Sequence, residues 1–166
     1  MPTGKEKIII GIDPGIADTG FGVIAADHGK LRHIVHGSIK TAAGQPLNER
    51  LFKLDRELSG IIKEYRPEIA VVEQLFFCNN AKTAFSVGQA RGVILLALTK
   101  ADLKFLELTP LQVKQGLTGY GAADKKQIQQ MVKAILNLKE IPKPDDAADA
   151  LAMAICGSSM HKLCLL

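Results

Sequence analysis

The chain has 166 residues, of which 47% are hydrophobic and 23% charged, and its formal net charge is +4 at pH 7. This composition predicts one globular domain over residues 1–166, and the mild positive charge favours a polyanionic partner. Three cysteines without a CxxC pair argue against a disulfide framework or a zinc cluster, and the lack of a long apolar run predicts a cytoplasmic protein without membrane contact.

The first predicted element is a strand that ends in a single carboxylate. The run Ile8–Ile12 is rich in β-branched residues and predicts a short strand buried on both faces. Asp13 ends this strand, and Pro14 and Gly15 turn the chain. An ionised carboxylate in that place needs a metal, another cation or several hydrogen bonds. An aspartate that caps the turn is the alternative to a metal ligand.

Two further strands and a helix come next. Thr19–Ala26 and Leu31–Ile39 are joined by a short glycine-containing turn, which predicts an antiparallel meander of three strands. Apolar residues spaced by threes and fours then predict an amphipathic helix over Leu47–Tyr65. Ile69–Val72 follows as a second strand of the buried type, and it also ends in a single carboxylate, that of Glu73.

The rest of the chain predicts a strand between helices. A loop over Gln74–Asn79 leads to a long helix, Asn80–Lys100, and to the fifth strand, Lys104–Leu108. A short helix over Thr109–Gln115 is followed by a glycine-rich break, Gly116–Gly121. Two helices, Asp124–Leu138 and Asp145–Cys156, complete the predicted elements. The tail beyond Cys156 is expected to be partly disordered. Right-handed crossovers place strands one, four and five parallel in one mixed five-stranded sheet, which predicts an α/β fold. Ligands of such sheets gather at the carboxyl ends of the strands, where Asp13 and Glu73 are expected.

The last predicted helix adds more acid. Asp146 and Asp149 are three residues apart and face the same way, among alanines that favour burial. Asp145 is a candidate helix cap, and the helix dipole could stabilise each of these aspartates. Two like charges on a buried face repel unless a cation lies between them, so metal binding explains the cluster better. Hard cations such as Mg²⁺ prefer oxygen ligands, and the pattern leaves open whether one ion or two are bound.

Four sequence blocks in order carry a family resemblance: GIDPGIADTGFGVI, VVEQLFF, GQARG and PDDAADALAMAI. Over residues 8–155 the chain resembles the RuvC family of Holliday-junction resolvases. The resemblance implies an RNase H-like fold and a homodimer that makes paired nicks in four-way DNA junctions during recombination and repair. It implies two Mg²⁺ ions per active site, with Mn²⁺ as a substitute, and the branch-migration proteins RuvA and RuvB as partners. The catalytic metal ligands that it implies are Asp13, Glu73, Asp149 and Asp146, with Asp145 as the alternative to Asp146.

Residues that would hold DNA are also indicated. Phe76 and Phe77 lie in the loop after the fourth strand, where a ring could stack on an unpaired base or pack in the core. The resemblance implies Phe76 for the stacking role. Lys114 and Lys125 match positions that the family uses near the scissile phosphate, and Arg91 is a further candidate for backbone contact. The alternative for each of these cations is a solvated surface charge.

Other functions fit parts of the pattern. GIDPGIADTG also resembles the phosphate-binding hairpin of actin-like and sugar-kinase ATPases, but those proteins need two such domains and the chain has one such hairpin. A ribonuclease acting on RNA–DNA hybrids would share the four acids. The GQARG block and Phe76 favour the resolvase, and the presence of all four acids argues against a non-catalytic relative.

Overall fold

The computed structural model describes residues 6–74 and 81–160, apart from the side chain of Lys82. Five strands form one mixed sheet in the order β3-β2-β1-β4-β5. The strands are β1 (Lys7–Asp13), β2 (Asp18–Asp27), β3 (Lys30–Lys40), β4 (Ile69–Glu73) and β5 (Lys104–Leu108). The helices are α1 (Leu47–Tyr65), α2 (Ala81–Lys100), α3 (Pro110–Thr118), α4 (Lys125–Ile135) and α5 (Asp145–Met160).

The strand directions confirm the predicted sheet. β1 pairs antiparallel with β2, and β2 pairs antiparallel with β3, which gives the meander. β1, β4 and β5 run parallel to one another. In the described part of the chain, no helix has the length and apolar character needed to cross a membrane.

The sheet separates two hydrophobic cores. Ile9 and Val71 face a core formed with α3, α4 and α5. Ile10, Ile12 and Val72 face a second core formed with α1 and α2. Because successive residues of a strand point to opposite faces, a strand between two cores is apolar at every position. This arrangement confirms that β1 and β4 are buried on both faces.

Glycines on β1 and β2 let α5 lie directly on the sheet. A Cβ added to Gly11 would lie 1.9 Å from the carbonyl oxygen of Ala150, and one added to Gly20 would lie 2.0 Å from that of Asp146. Contacts this short are forbidden, so any side chain at these two positions would push α5 away. The glycines therefore set the distance between the first two turns of α5 and the strands β1 and β2.

Three predicted boundaries are wrong. Helix α3 continues to Thr118, through the glycine-rich break expected from residue 116 onward, because Gly116 packs within a helix against Cys156. The next helix ends at Ile135 rather than at Leu138. Helix α5 continues to Met160, and Gly157 is buried against Val71, so the first four residues of the supposedly disordered tail are helical. Residues 161–166 lie outside the described part.

Candidate metal centre

Carboxylates from three elements meet at the carboxyl edge of the sheet. Asp13 is the last residue of β1 and Glu73 the last of β4, and the register of these parallel strands sets them side by side. Asp146 and Asp149 come from the first two turns of α5. One carboxylate oxygen from each of the three aspartates lies within 4.8 Å of the others. The sequence-predicted acids therefore form one cluster.

The carboxylates are held close together in a partly buried site. A side-chain hydrogen bond joins Asp13 to Glu73. Burial is the largest cause that raises the pKa of Asp13, and the charge of Glu73 adds to it. Burial likewise raises the pKa values of Glu73, Asp146 and Asp149. Carboxyl groups whose pKa values are raised in this way are costly to ionise together, and a bound cation would stabilise their ionised form.

The structure separates Asp146 from its neighbour Asp145. Asp146 lies in the cluster, whereas Asp145 faces α4. There Asp145 accepts a hydrogen bond from Gln129 at 3.2 Å and pairs with the Nζ of Lys125 at 3.1 Å. The rotation of α5 thus assigns the two adjacent aspartates different neighbours.

A cleft of about 220 Å³ opens beside the acids, between α3, α4 and α5. Val113, Ile128 and Met153 line its apolar part, whereas Lys114 and Lys125 contribute cations. The Nζ of Lys125 lies 3.6 Å from a carboxylate oxygen of Asp149, as well as contacting Asp145. The two lysines predicted to lie near the scissile phosphate therefore share one cleft with Glu73 and Asp149.

The sequence model of one family, crossover junction endodeoxyribonuclease RuvC, matches residues 9–157. The chain belongs to the RuvC family. A relative with this name from Rubrobacter xylanophilus is 49% identical over 158 residues, which cover 95% of this chain and 88% of the relative. The relative from Brevibacillus brevis is 54% identical over 147 residues, which cover 89% of each chain.

Solved structures agree with the family assignment. The T. thermophilus RuvC in complex with a Holliday junction substrate has a TM-score of 0.86 and 34% identity, and the match covers 94% of this chain and 96% of that one. The yeast mitochondrial Holliday junction resolvase has a TM-score of 0.67 at 12% identity, covering 93% of this chain and 80% of that one, and shares the fold alone. The predicted RNase H-like fold is confirmed.

The predicted DNA contact Arg91 is not brought to the cleft beside the acids. Arg91, on α2, forms an ion pair with Glu107 of β5. Glu107 pairs with Val72, whose side chain faces the core of α1 and α2, so this ion pair is on the other face of the sheet from the acids. Contact of Arg91 with DNA stays a prediction. Phe76 lies outside the described residues.

One further acid at the site was missed by the sequence reasoning. Asp18, the first residue of β2, carries a charge that acts on Asp146, and its Oδ1 is buried without a hydrogen-bond partner among the described residues. The signal in the sequence that could have indicated this residue is its position, because Asp18 is a fifth acid only five positions after Asp13. The residues around Asp18 are typical of a turn that leads into a hairpin, and this pattern does not indicate a site residue.

The side chains fit a hard divalent cation. The clustered donors are carboxylate oxygens, the ligands that Mg²⁺ and Mn²⁺ prefer, and neither histidine nor cysteine joins the group found in the described residues. The buried oxygen of Asp18 without a partner adds to the excess of negative charge. Asp13, Glu73, Asp146 and Asp149 are the residues that would hold the metal.

Proposed function

We propose that this protein is a homodimeric, Mg²⁺-dependent endodeoxyribonuclease that resolves four-way DNA junctions by paired symmetric nicks. The observation that carries the proposal is the meeting of Asp13, Asp146 and Asp149 within 4.8 Å, with Glu73 bonded to Asp13, in a chain of the RuvC family. The T. thermophilus relative, which is described in complex with a Holliday junction substrate, supports the choice of substrate.

In this proposal, the four acids act as ligands of two Mg²⁺ ions, and Mn²⁺ can replace them. When bound, such ions activate a water molecule and stabilise the departing oxygen of the phosphodiester. The close approach of Asp13 and Glu73 holds their oxygens ready in one place, so the side chains need little reorganisation. The oxygen-only donor set supports Mg²⁺ over a softer metal.

The lysines of the cleft position the DNA strand. Lys114 and Lys125 lie on the same cleft as Glu73 and Asp149, so a phosphate placed at the acids would be flanked by positive charge. The contacts of Lys125 with Asp145 and Asp149 keep its ammonium group at the edge of the site. Phe76 is proposed to stack on a base beside the cut, and its replacement by alanine should slow cleavage more than it weakens junction binding.

The proposed dimer contact is the outer face of α2. Phe85 and Leu96 are 71% and 55% exposed. Gly92 lies between them in the sequence, and a Cβ added to it would have no described atom within 4 Å. Spacings of seven and four residues place the three on one stripe of the helix. A two-fold axis through this stripe would bury it on both subunits and supply two active sites, one for each nick.

The dimer is tested by replacing Leu96 with glutamate. We expect L96E to sediment as a monomer at micromolar concentration, whereas the wild type sediments as a dimer. Phe52→Glu, at an exposed position on α1, is the matched control and should remain dimeric. A dimeric L96E protein would move the interface to another surface, and a monomeric wild type would refute the dimer.

The cellular setting is proposed from the family alone. Junction resolution serves recombination and repair of DNA damage in the cytoplasm, and RuvA and RuvB are the expected branch-migration partners. The test is co-purification of the protein with RuvA and RuvB on a four-way junction. Absence of such a complex would mean that the protein acts independently of them.

One cleavage assay tests the activity. A four-way junction, a linear duplex and an RNA–DNA hybrid are each incubated with the protein in Mg²⁺ and in EDTA. We expect cleavage of the four-way junction in Mg²⁺ alone and little cleavage of the other substrates. Preferred cleavage of the hybrid would replace the resolvase with the ribonuclease alternative.

A further inference from the structure

Asp18 lies against the metal centre although it is not one of the four family acids. Its strand β2 pairs with β1 so that Gly20 stands opposite Asp13. The missing Cβ of Gly20 points at the backbone of Asp146, and Asp18, two residues earlier, shares that face of the strand. Asp18 is therefore close enough to Asp146 for the charges of the two carboxylates to act on each other.

The turn before Asp18 is fixed by groups other than the Asp18 side chain. The Oγ1 of Thr19 donates a hydrogen bond to the carbonyl oxygen of Gly15 at 2.5 Å. The backbone amide of Thr41 donates to the carbonyl oxygen of Ala17 at 3.0 Å, and Arg50 donates to the Thr41 hydroxyl at 2.9 Å. The carboxylate of Asp18 is therefore not needed to close the turn, which is already closed by these bonds.

One oxygen of the Asp18 carboxylate is left without a partner in the described part of the chain. This oxygen, Oδ1, is buried and has no hydrogen-bond partner, and within residues 6–74 and 81–160 no ion pair includes Asp18. The nearby cation, Lys125, pairs with Asp145 and Asp149 instead. A carboxylate oxygen that is buried without a partner beside another carboxylate is stabilised when a positive charge is supplied. A divalent cation bound at Asp146 would supply it.

We propose that Asp18 is a fifth carboxylate of the metal centre, which acts through Asp146 to strengthen the binding of divalent cations. The inference rests on the proposed metal site. Asp18 is a positioning residue in this account, because its effect reaches the cation through a neighbouring ligand. Outer groups that act on metal ligands in this way typically change metal affinity by about 10- to 100-fold.

The test is calorimetric titration of the whole protein with Mn²⁺ in the absence of DNA. Asp18→Asn keeps the shape of the side chain and removes its charge, and we expect about tenfold weaker binding of Mn²⁺. Asp27→Asn, at the exposed opposite end of β2, removes the same charge away from the site and should bind Mn²⁺ within twofold of the wild type. Thermal unfolding without metal should show Asp18→Asn to be at least as stable as the wild type.

The outcomes separate the inference from the proposed function. Binding by Asp18→Asn within twofold of the wild type overturns the inference and leaves the metal site intact. An equal loss in both variants also overturns it, because bulk charge would then be the cause. Lower metal-free stability of Asp18→Asn assigns the residue a structural role and overturns it too. A folded wild type that binds no Mn²⁺ overturns the metal site together with the inference.

Discussion

Asp13→Asn removes one charge from the centre of the acidic cluster and keeps the size of the side chain. The clustered oxygens lie within 4.8 Å of one another, and at an effective dielectric constant of about 20 two ionised carboxylates at that distance repel by about 3 kcal/mol. The protein relieves this repulsion by holding a proton, since burial and Glu73 raise the pKa of Asp13 from 3.8 to about 9.

The direction of the pH dependence follows from that shift. The folded protein binds the Asp13 proton more tightly than the unfolded chain does, so the stabilising contribution is complete below pH 3.8 and is lost as the pH rises toward 9. Asparagine does not titrate. In metal-free protein at pH 8 we therefore expect Asp13→Asn to gain unfolding free energy on the scale of that repulsion, about 3 kcal/mol, or about 6–12 °C in Tm. The gain should vanish near pH 4.

The assay is thermal unfolding in EDTA at pH 4, 6 and 8, with Asp102→Asn, an exposed acid after α2, as the control. The same Asp13→Asn protein should lose cleavage of a four-way junction in Mg²⁺ by about a thousandfold, because several kcal/mol of transition-state stabilisation depend on the metal. Junction binding should remain measurable. A metal-free Asp13→Asn protein that is less stable than the wild type at pH 8 would refute the repulsion argument, and full cleavage by it would refute the site.

Three further predictions concern the lysines and the packing of α5. Lys125→Ala should slow junction cleavage by about 100-fold in single-turnover assays, while Lys126→Ala, at the adjacent exposed position, should not; equal rates for the two variants would remove Lys125 from the site. Lys114→Ala should reduce the slope of log binding constant against log salt by about one, and an unchanged slope would mean that Lys114 meets no phosphate. Gly11→Ala should destabilise the protein by about 3 kcal/mol in urea unfolding, since its Cβ would lie 1.9 Å from the Ala150 carbonyl oxygen, whereas Gly60→Ala, in open space on α1, should be neutral or stabilising. A tolerated Gly11→Ala would show that α5 can shift without cost.

The sheet could be predicted because its information is local. Each of β1 and β4 is a short apolar run that ends in one carboxylate, and crossover rules then place both ends at the same edge. These local signals are sufficient to predict that Asp13 and Glu73 lie close together. The amphipathic helix α1 could also be predicted, because the spacing of its apolar residues by threes and fours lies within one segment.

Features that depend on distant contacts could not be predicted. Gly116 predicts the end of a helix, yet in the structure it lies within α3, where Cys156 leaves no room for a side chain. The different neighbours of Asp145 and Asp146 depend on how α5 is rotated against the sheet and α4, which no local pattern shows. The pairing of Arg91 with Glu107 joins a helix to a strand and leaves no local pattern.

The central claim is that one metal centre in each subunit cuts one strand of a junction, and a cruciform plasmid tests it most directly. Two coordinated nicks across the junction convert the supercoiled plasmid to a linear molecule, whereas a single nick gives a relaxed circle. We expect linear product with the wild type in Mg²⁺, and none in EDTA or with Asp13→Asn. Relaxed circles as the only product, or linear product that persists in EDTA, would contradict the account.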